Sequence, residues 1–316
     1  MGLAVREPGE DAESGAEVPR ADAALMLFVS GANGQFAGHV IRNVLAAGRG
    51  AELIVGTRNV NSAFARDLGA KGVTVREADF RRPESMRAAL QGVSKALFTP
   101  TYDTNDVRLQ QNLNAIEAAR AVGVKHVVYP SFLRAESPRV EHSRLVHLPT
   151  ENALRASGLG FTILRHALYA DILVGDLRDT LATGVFRRPS GSARSAYVAR
   201  EDLGFSAATV LLRDEPSGQV YNETMERTYS GGEVAALIAE VFDKPVRFEP
   251  VPATEWPQYM TEHWGVPPEL AKSTIGTMQA VEAGEFDVVT HDYERITGRP
   301  ARSMRQFMED LKDAST

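Results

Sequence analysis

Hydrophobic and polar positions follow two different patterns along this chain. Stretches with apolar residues at helical spacing separate short runs in which nearly every residue is apolar. Those runs lie near residues 25–30, 51–57, 73–78, 95–99, 125–131 and 161–166. Continuous apolar runs are typical of strands that are buried on both faces, and helices between them indicate right-handed crossovers. The pattern predicts an α/β fold, a Rossmann-type doubly wound parallel sheet.

The loop after the first predicted strand is rich in glycine, in the sequence LMLFVSGANGQFAG. Gly31 permits a tight turn, Gly34 lets the backbone approach a phosphate, and Ala37 or Gly38 allows close helix packing. A helix that begins near Gln35 would point its free N–H groups at an anion. The spacing differs from the usual Gly-x-Gly-x-x-Gly, so two interpretations remain: a pyrophosphate site, or glycines that only turn the chain.

Arg58 directly follows the second predicted strand, AELIVGT. A protein that prefers NAD usually carries a carboxylate at this point, which bonds the ribose 2′-hydroxyl. A guanidinium would instead pair with a 2′-phosphate, so the sequence favours NADPH as the cofactor. The alternative is a solvated surface arginine, but the nearest downstream acid is Asp67 in the following helix.

The carboxyl ends of parallel strands lie along one crevice, where open α/β sheets bind their ligands. Asp79 follows the third strand and could accept a hydrogen bond from an adenine amino group, or it could serve as a turn or N-cap aspartate. All predicted cofactor contacts lie at this edge: Gly31, Asn33, Gly34, Gln35, Phe36, Arg58, Asp79, Thr99, Pro100 and Ser131.

Composition excludes several other classes. The formal net charge is −6, whereas a nucleic-acid surface would be basic. The chain has no cysteine, so it has no disulfide, no thiolate nucleophile and no cysteine-bound metal, and we expect no metal site. No apolar run approaches the length of a membrane span. We therefore expect a cytoplasmic protein with a small-molecule substrate, and the sequence allows a monomer or a homodimer.

Three segments are expected along the chain. Residues 1–23 are rich in Glu, Ala, Gly and Pro and predict a disordered extension. Residues 24–221 would form the dinucleotide-binding domain, and residues 222–316 a smaller mixed α/β substrate lobe. In that lobe the sequence predicts a strand in GQVYNET, a helix in GGEVAALIAEVFDK, an extended VRFEPVP and further helices. Its aromatic and sulfur-containing residues would pack in a helix core or line a cavity: Trp256, Tyr259, Met260, Trp264 and Met278.

Several segments carry a resemblance to a known family. GANGQFAG, TRN, HVVYPSF, TENALRASGLGFTILRHALYADILVGDLR and SAYVAREDLGFSAATVLL resemble the atypical short-chain dehydrogenases of the NmrA-like group. Within it, the chain is most similar to the branch of NADPH-dependent quinone oxidoreductases and triphenylmethane dye reductases. The resemblance extends from Leu25 to about Leu311. It implies an extended Rossmann domain that binds NADPH, followed by a substrate lobe.

The chain departs from ordinary short-chain dehydrogenases at the catalytic dyad. Those enzymes place a Tyr four residues before a Lys, and the Lys lowers the pKa of the Tyr that protonates an alkoxide. Alignment on Glu151 puts Ser143 and His147 at these positions. Without a positioned acid, reduction of a simple ketone would lose about 10²- to 10⁴-fold in rate. Ketone reduction is therefore disfavoured.

Acceptors whose reduction requires little acid catalysis are more compatible with the missing dyad. A quinone that takes a hydride gives a stabilised hydroquinone anion, and a triarylmethyl cation becomes neutral without a proton. Such an enzyme would work mainly by holding the nicotinamide against a flat acceptor and excluding water. The same argument applies to an iminium or imine-like acceptor.

Two residues are candidates for the catalytic site. His147, at the start of the helix in PTENALRASG, could donate a proton or a hydrogen bond to a quinone oxygen, or it could be a polar helix-start residue. Tyr169 follows a strand and could stack on and orient a planar substrate, or it could fill the cleft between the lobes. The same two interpretations, a role at the site or a structural role, apply to His142, Phe132 and Tyr102.

Two functions remain at this stage. The first is an NADPH-dependent reductase of a conjugated or cationic acceptor, including an imine or enone in a biosynthetic pathway. The second is a non-catalytic regulator that senses the dinucleotide and binds a protein partner, since the NmrA-like group includes such proteins. Similarity to the reductase branch favours the enzyme.

Overall fold

The computed structural model describes residues 25–314, so the predicted disordered extension 1–23 lies outside the described residues. Strands lie at β1 (Leu27–Val29), β2 (Leu53–Thr57), β3 (Thr74–Glu77), β4 (Lys95–Leu97), β5 (His126–Phe132), β6 (Gly160–His166), β7 (Leu168–Tyr169), β8 (Val185–Arg188), β9 (Arg194–Ser195), β10 (Tyr197–Val198), β11 (Gln219–Glu223), β12 (Tyr229–Ser230) and β13 (Arg247–Pro250). Each of the six predicted strands is present, with bounds shifted by a few residues.

The helices connect and cover these strands. They are α1 (Gln35–Ala46), α2 (Ala63–Ala70), α3 (Pro83–Ala89), α4 (Asn105–Val122), α5 (Leu148–Ala156), α6 (Val174–Thr183), α7 (Arg200–Leu212), α8 (Gly231–Phe242), α9 (Trp256–Trp264), α10 (Pro268–Lys272), α11 (Ile275–Glu282), α12 (Asp292–Thr297) and α13 (Met304–Asp313). A π-helical turn, Ser143–His147, leads directly into α5. His147 therefore ends this turn and precedes the first residue of α5.

The central sheet has seven strands, in the order β11-β6-β5-β4-β1-β2-β3. Every pairing within it is parallel. The strand order reverses between β1 and β4, and this reversal is the point at which open α/β sheets form their ligand crevice. The expected Rossmann-type doubly wound sheet is confirmed.

The two faces of the sheet bury separate apolar cores. Leu27 and Val29 of β1 face one core, and Phe28 faces the other, as the alternation of strand side chains requires. On the first face, α1 packs tightly on α7. A Cβ atom at Gly204 would lie 2.3 Å from the Cβ of His39, so only glycine allows this approach. Ala37 is fully buried, whereas a Cβ at Gly38 would meet only the Arg42 guanidinium, at 3.6 Å.

The boundary expected after residue 221 falls inside β11. This strand pairs with β6 over Gln219–Glu223 and completes the central sheet, so the substrate lobe does not begin at residue 222. The strand reads QVYNE, which mixes polar and apolar residues and lacks the continuous apolar run of the central strands, so its sequence does not distinguish the sheet from a separate lobe. Smaller two-stranded sheets, β8 with β13 and β9 with β12, form the mixed α/β part beyond the crevice.

The aromatic residues of the C-terminal region pack mainly on one another. The ring of Trp256 stacks on Tyr259 at 5.1 Å and meets Trp264 edge-on at 5.2 Å. The buried Arg188 guanidinium lies 5.1 Å from the Trp256 ring. Met260 accepts a hydrogen bond from Thr274 through its sulfur, at 3.6 Å. These contacts indicate a structural cluster.

Candidate functional site

The turn between β1 and α1 has the geometry that an anionic ligand requires. Gly31 has a φ of +65°, a backbone conformation that residues other than glycine rarely adopt. Its carbonyl accepts the Gly34 N–H at 2.8 Å. Gly34 is the N-cap of α1. No side chain caps this helix, and its first turn contains no acidic residue. The backbone N–H groups and the positive end of the helix dipole are therefore available to a phosphate.

A cleft of about 380 Å³ opens at this turn. Its wall includes the predicted contacts Asn33, Gly34 and Gln35, together with Asp171 from the segment after β7. The Gln35 side-chain oxygen accepts a hydrogen bond from Arg200 at 2.9 Å, and Asp171 accepts the Arg200 backbone N–H at 2.9 Å. The glycine turn is thus tied to the start of α7, a connection that the sequence pattern does not indicate.

The end of β4 is locked to the end of β1 beside the glycine turn. The Thr99 N–H donates to the Ser30 hydroxyl at 2.8 Å, and the Thr99 hydroxyl donates to the Ser30 carbonyl at 3.1 Å. A Cβ at Gly31 would lie 3.2 Å from the Thr99 Cβ. Thr99 and Pro100 are both half-buried at this edge of the sheet. The structure therefore brings these two predicted contacts to the glycine turn.

Arg58 and Asp79 occupy different environments at the ends of β2 and β3. The Arg58 side chain is exposed, and no described residue forms an ion pair or a hydrogen bond with it. Asp79 is already engaged, because its carboxylate accepts the Arg81 N–H at 3.0 Å and lies 3.4 Å from the Arg82 guanidinium. Arg58 is available to a ligand, whereas Asp79 stabilises a turn through its carboxylate, and its contact with an adenine amino group stays a prediction.

Ser131 is bound to a buried carboxylate. Its hydroxyl donates to Glu151 at 2.6 Å, and Glu151 also accepts two bonds from Arg165, at 2.8 and 2.6 Å. Arg155 adds a further bond at 3.0 Å. Glu151 is fully buried. The network joins the carboxyl ends of β5 and β6 to α5, so Ser131 helps to hold the wall of the crevice.

His147 lies in a buried polar cluster at the same end of the sheet. The Tyr129 hydroxyl is 3.0 Å from His147 Nδ1 and also accepts a bond from Asn112 at 3.2 Å. Burial, followed by the charges of His142 and Arg108, holds the pKa of His147 well below its usual range. The neutral ring can exchange hydrogen bonds at neutral pH, but it does not carry a positive charge there.

An aromatic cluster surrounds His147. The Phe132 ring lies 6.4 Å from the His147 ring and 4.8 Å from the His142 ring. Phe286, from the C-terminal region, lies 5.7 Å from Phe132. The structure thus brings Phe132, His142 and His147 together, whereas Tyr102 is 90% exposed.

Tyr169 contacts two residues that were not among the predicted site residues. Its hydroxyl lies 3.2 Å from Nδ1 of His166, and the Arg200 guanidinium lies 4.6 Å from its ring centroid. Phe36, a predicted cofactor contact, also packs against His166, and the centroids of the two rings are 5.2 Å apart. Because His166 ends β6, the rule that ligands bind at strand ends could have found it.

The parallel sheet, the reversal of strand order and the uncapped glycine turn define a Rossmann-type protein of the dinucleotide-binding class. Comparison with known proteins identifies the family. The model of the NmrA-like family matches residues 25–295, and the chain belongs to this family.

Three known proteins illustrate the similarity. Quinone oxidoreductase 2 of Escherichia coli strain K12 is 28% identical over 289 residues, which cover 90% of this chain and 98% of the relative. The NAD(P)H azoreductase of Xenophilus azovorans is also 28% identical, with 89% and 96% coverage. The crystal structure of Citrobacter sp. triphenylmethane reductase complexed with NADP(H) has a TM-score of 0.83 and 33% identity, and the match covers 92% of this chain and 100% of that one. The expected resemblance is confirmed.

Two findings concern membranes and metals. Among residues 25–314, no helix is long and apolar enough to cross a membrane. Over the same range, no group of three or more His, Asp or Glu side chains could hold a metal ion.

Proposed function

We propose that this protein is an NADPH-dependent reductase that transfers a hydride to a conjugated or cationic acceptor, such as a quinone, a triarylmethane dye or an imine-like molecule. The chain is an NAD(P)H-dependent oxidoreductase of the atypical short-chain type. The observation that carries the proposal is the uncapped glycine turn at the end of β1. The alignment on Glu151 puts Ser143 and His147 at the positions of the Tyr/Lys dyad, and we infer that the dyad is missing.

The residues present fit a dinucleotide. The first turn of α1 offers backbone donors for the pyrophosphate, and Arg58, which has no partner among residues 25–314, offers a cation for a 2′-phosphate. Bound NADPH would supply the hydride. The triphenylmethane reductase was crystallised with NADP(H), which supports the same cofactor here. The other predicted contacts stay predictions.

The site favours acceptors that need little acid catalysis. Ser143 is fully buried, and His147 is 6% exposed and neutral at neutral pH. Neither residue reproduces a tyrosine activated by a lysine. The relatives named for reduction of quinones, azo compounds and triphenylmethane dyes support flat, conjugated acceptors. We propose that His147 donates a hydrogen bond to such an acceptor and that Tyr169 contacts it.

The direct test is oxidation of NADPH, followed by loss of its absorbance, with a benzoquinone, a naphthoquinone, a triarylmethane dye, a cyclic imine and a simple ketone. We expect turnover with at least one of the first four and none with the ketone. Tight binding of NADPH without turnover would contradict the reductase and favour the dinucleotide sensor. Turnover of the ketone would show that the missing dyad does not restrict the acceptor.

Replacement of Arg58 with alanine tests the choice of cofactor. A charge-assisted hydrogen bond is worth about 1.5–3 kcal/mol, so the Kd for NADPH should rise about 10- to 100-fold. The Kd for NADH should stay within about twofold, because NADH has no 2′-phosphate. Fluorescence titration measures both values. Arg87→Ala, which removes an exposed arginine from α3, controls for net charge. Equal weakening of both cofactors by R58A would contradict the proposed contact.

A further inference from the structure

Three side chains from three strands lie in a line at the carboxyl edge of the sheet. The Tyr169 hydroxyl in β7 is 3.2 Å from Nδ1 of His166 in β6. On the opposite side of the same ring, Nε2 lies 3.5 Å from a carboxyl oxygen of Glu223 in β11. The imidazole therefore stands between a hydroxyl and a carboxyl group.

The inner part of this line is sealed from water. His166 and Glu223 are both fully buried. Among the described residues, neither Nε2 of His166 nor either Glu223 carboxyl oxygen has a partner in full hydrogen-bond geometry, although the Ser206 hydroxyl on α7 lies close enough to Glu223 to interact with it. Buried polar groups in folded proteins are nearly always paired, so an unpaired carboxyl facing an unpaired imidazole nitrogen requires a physical cause. A proton shared between these two atoms would satisfy both of them.

Burial also decides which group holds the proton. It raises the pKa of Glu223 to about 8. The Ser206 hydroxyl on α7 opposes this rise, and the nearby carboxylates of Asp292 on α12 and Asp202 on α7 add to it. Burial lowers the pKa of His166 to about 3. At neutral pH the pair therefore consists of a protonated Glu223 and a neutral His166. The carboxyl group can donate to Nε2, which leaves the ring proton on Nδ1, next to Tyr169.

The outer end of the line reaches the crevice. Tyr169 is half-buried, and its ring lies under Arg200, whose side chain bonds Gln35 in the glycine turn. Burial raises the pKa of Tyr169 to about 12, while the Arg200 charge opposes this rise and Asp171 adds to it. The hydroxyl is thus protonated at neutral pH and lies between the buried pair and the predicted cofactor site.

We propose that Glu223, His166 and Tyr169 form a relay that delivers one proton to the oxygen of a reduced quinone. This inference rests on the proposed reductase function and narrows its preferred acceptor to quinones. Tyr169 is the catalytic residue because it contacts the acceptor, and His166 and Glu223 act through it.

The proton transfers balance. Hydride addition brings two electrons to the quinone and leaves a hydroquinone anion. That anion takes the Tyr169 hydroxyl proton, Tyr169 regains one from His166 Nδ1, and His166 Nε2 takes the Glu223 carboxyl proton. The net change is one proton moved from Glu223 to the product. After the product leaves, a proton from solvent in the crevice returns along the same line, through Tyr169 and His166, to Glu223 and restores the starting state. A carboxyl group with a pKa of about 8 can protonate a phenolate-like oxygen, whose ordinary pKa is about 10.

The wild-type protein provides the first test. The relay can deliver a proton only when Glu223 is protonated. The kcat with a benzoquinone should therefore fall as the pH rises through about 8. Reduction of a cationic triarylmethane dye needs no proton, so its kcat should not follow this titration. A solvent deuterium isotope effect should appear with the quinone and not with the dye. Identical pH profiles and isotope effects for the two acceptors would overturn the relay.

Variants provide the second test. Glu223→Gln and Tyr169→Phe should each lower kcat with the quinone about tenfold or more at pH 7, and E223Q should remove the fall near pH 8. The dye rate should stay within about twofold in E223Q, and Tyr169→Phe should slow the dye less than the quinone. His126→Gln and Tyr221→Phe are matched controls, because they disturb a buried imidazole and a buried hydroxyl elsewhere in the sheet, where His126 bonds Thr162 and Tyr221 bonds Glu215. Both controls should keep the ratio of quinone to dye rates.

The possible results separate the two proposals. Unchanged quinone rates in both relay variants, or equal losses with quinone and dye, would overturn the relay and leave the reductase intact. No turnover of any acceptor by the wild-type protein would overturn the proposed function, and the relay with it. If E223Q does not fold, as judged by thermal unfolding, Tyr169→Phe and the wild-type isotope effects still decide the question.

Discussion

Replacement of Gly34 with aspartate is expected to lower the affinity for NADPH about 100-fold or more without destabilising the fold. Aspartate is a favourable N-cap residue, and Gly34 already has the extended conformation that an N-cap requires, with φ −81° and ψ 149°. The new carboxylate would lie where the pyrophosphate binds. Two unit charges 4 Å apart repel by about 4 kcal/mol near a protein surface, which is more than a 100-fold change requires.

Gly34→Asn is the matched control for this prediction. Asparagine has nearly the same shape and capping ability but no charge, so its effect on NADPH affinity should be about tenfold at most. In both variants the Cβ would lie 3.2 Å from the Gly31 carbonyl oxygen, so any steric effect is shared. Calorimetric titration gives the affinities, and thermal unfolding gives the stabilities. Equal losses in the two variants would show that crowding, and not charge, causes the effect.

The strands of the Rossmann sheet were predictable because they are buried on both faces. Continuous apolar runs such as LFV and LIVGT are typical of such strands, and the glycine turn lies where the first run ends. β11 was harder to place, since QVYNE mixes polar and apolar residues and has no continuous apolar run. Its pairing with β6 is a contact between residues more than fifty positions apart, which no local pattern encodes.

This difference explains which site residues were found from the sequence. The strand-end rule led to Arg58, Thr99 and Ser131 because their strands were recognised as part of the sheet. Applied to β11, the same rule leads to Glu223, which lies outside the six strands that the apolar runs predict. The contact of Arg200 with Gln35 could not be predicted, because α7 and α1 meet only through the tertiary packing at Gly204.

Replacement of Glu151 with alanine is expected to lower the free energy of unfolding by about 3–5 kcal/mol, because it leaves the largely buried Arg165 without its main partner. The side chains of Glu151 and Arg165 are 0% and 12% exposed. Arg165 keeps only its ion pair with Glu136, whose side chain is 59% exposed. For a chain of 316 residues, a loss of this size corresponds to a fall in Tm of about 5–8 °C.

An exposed ion pair elsewhere in the protein provides the comparison. Glu117 pairs with Arg120 on α4, and both side chains are more than half exposed. Glu117→Ala should change stability by at most about 1 kcal/mol, because solvent screens exposed pairs. Urea unfolding measures both variants. Glu151→Gln keeps an acceptor for Ser131 without the charge, so its loss should lie between those of Glu151→Ala and Glu117→Ala. If all three variants unfold alike, charge pairing does not hold the ends of β5 and β6 together.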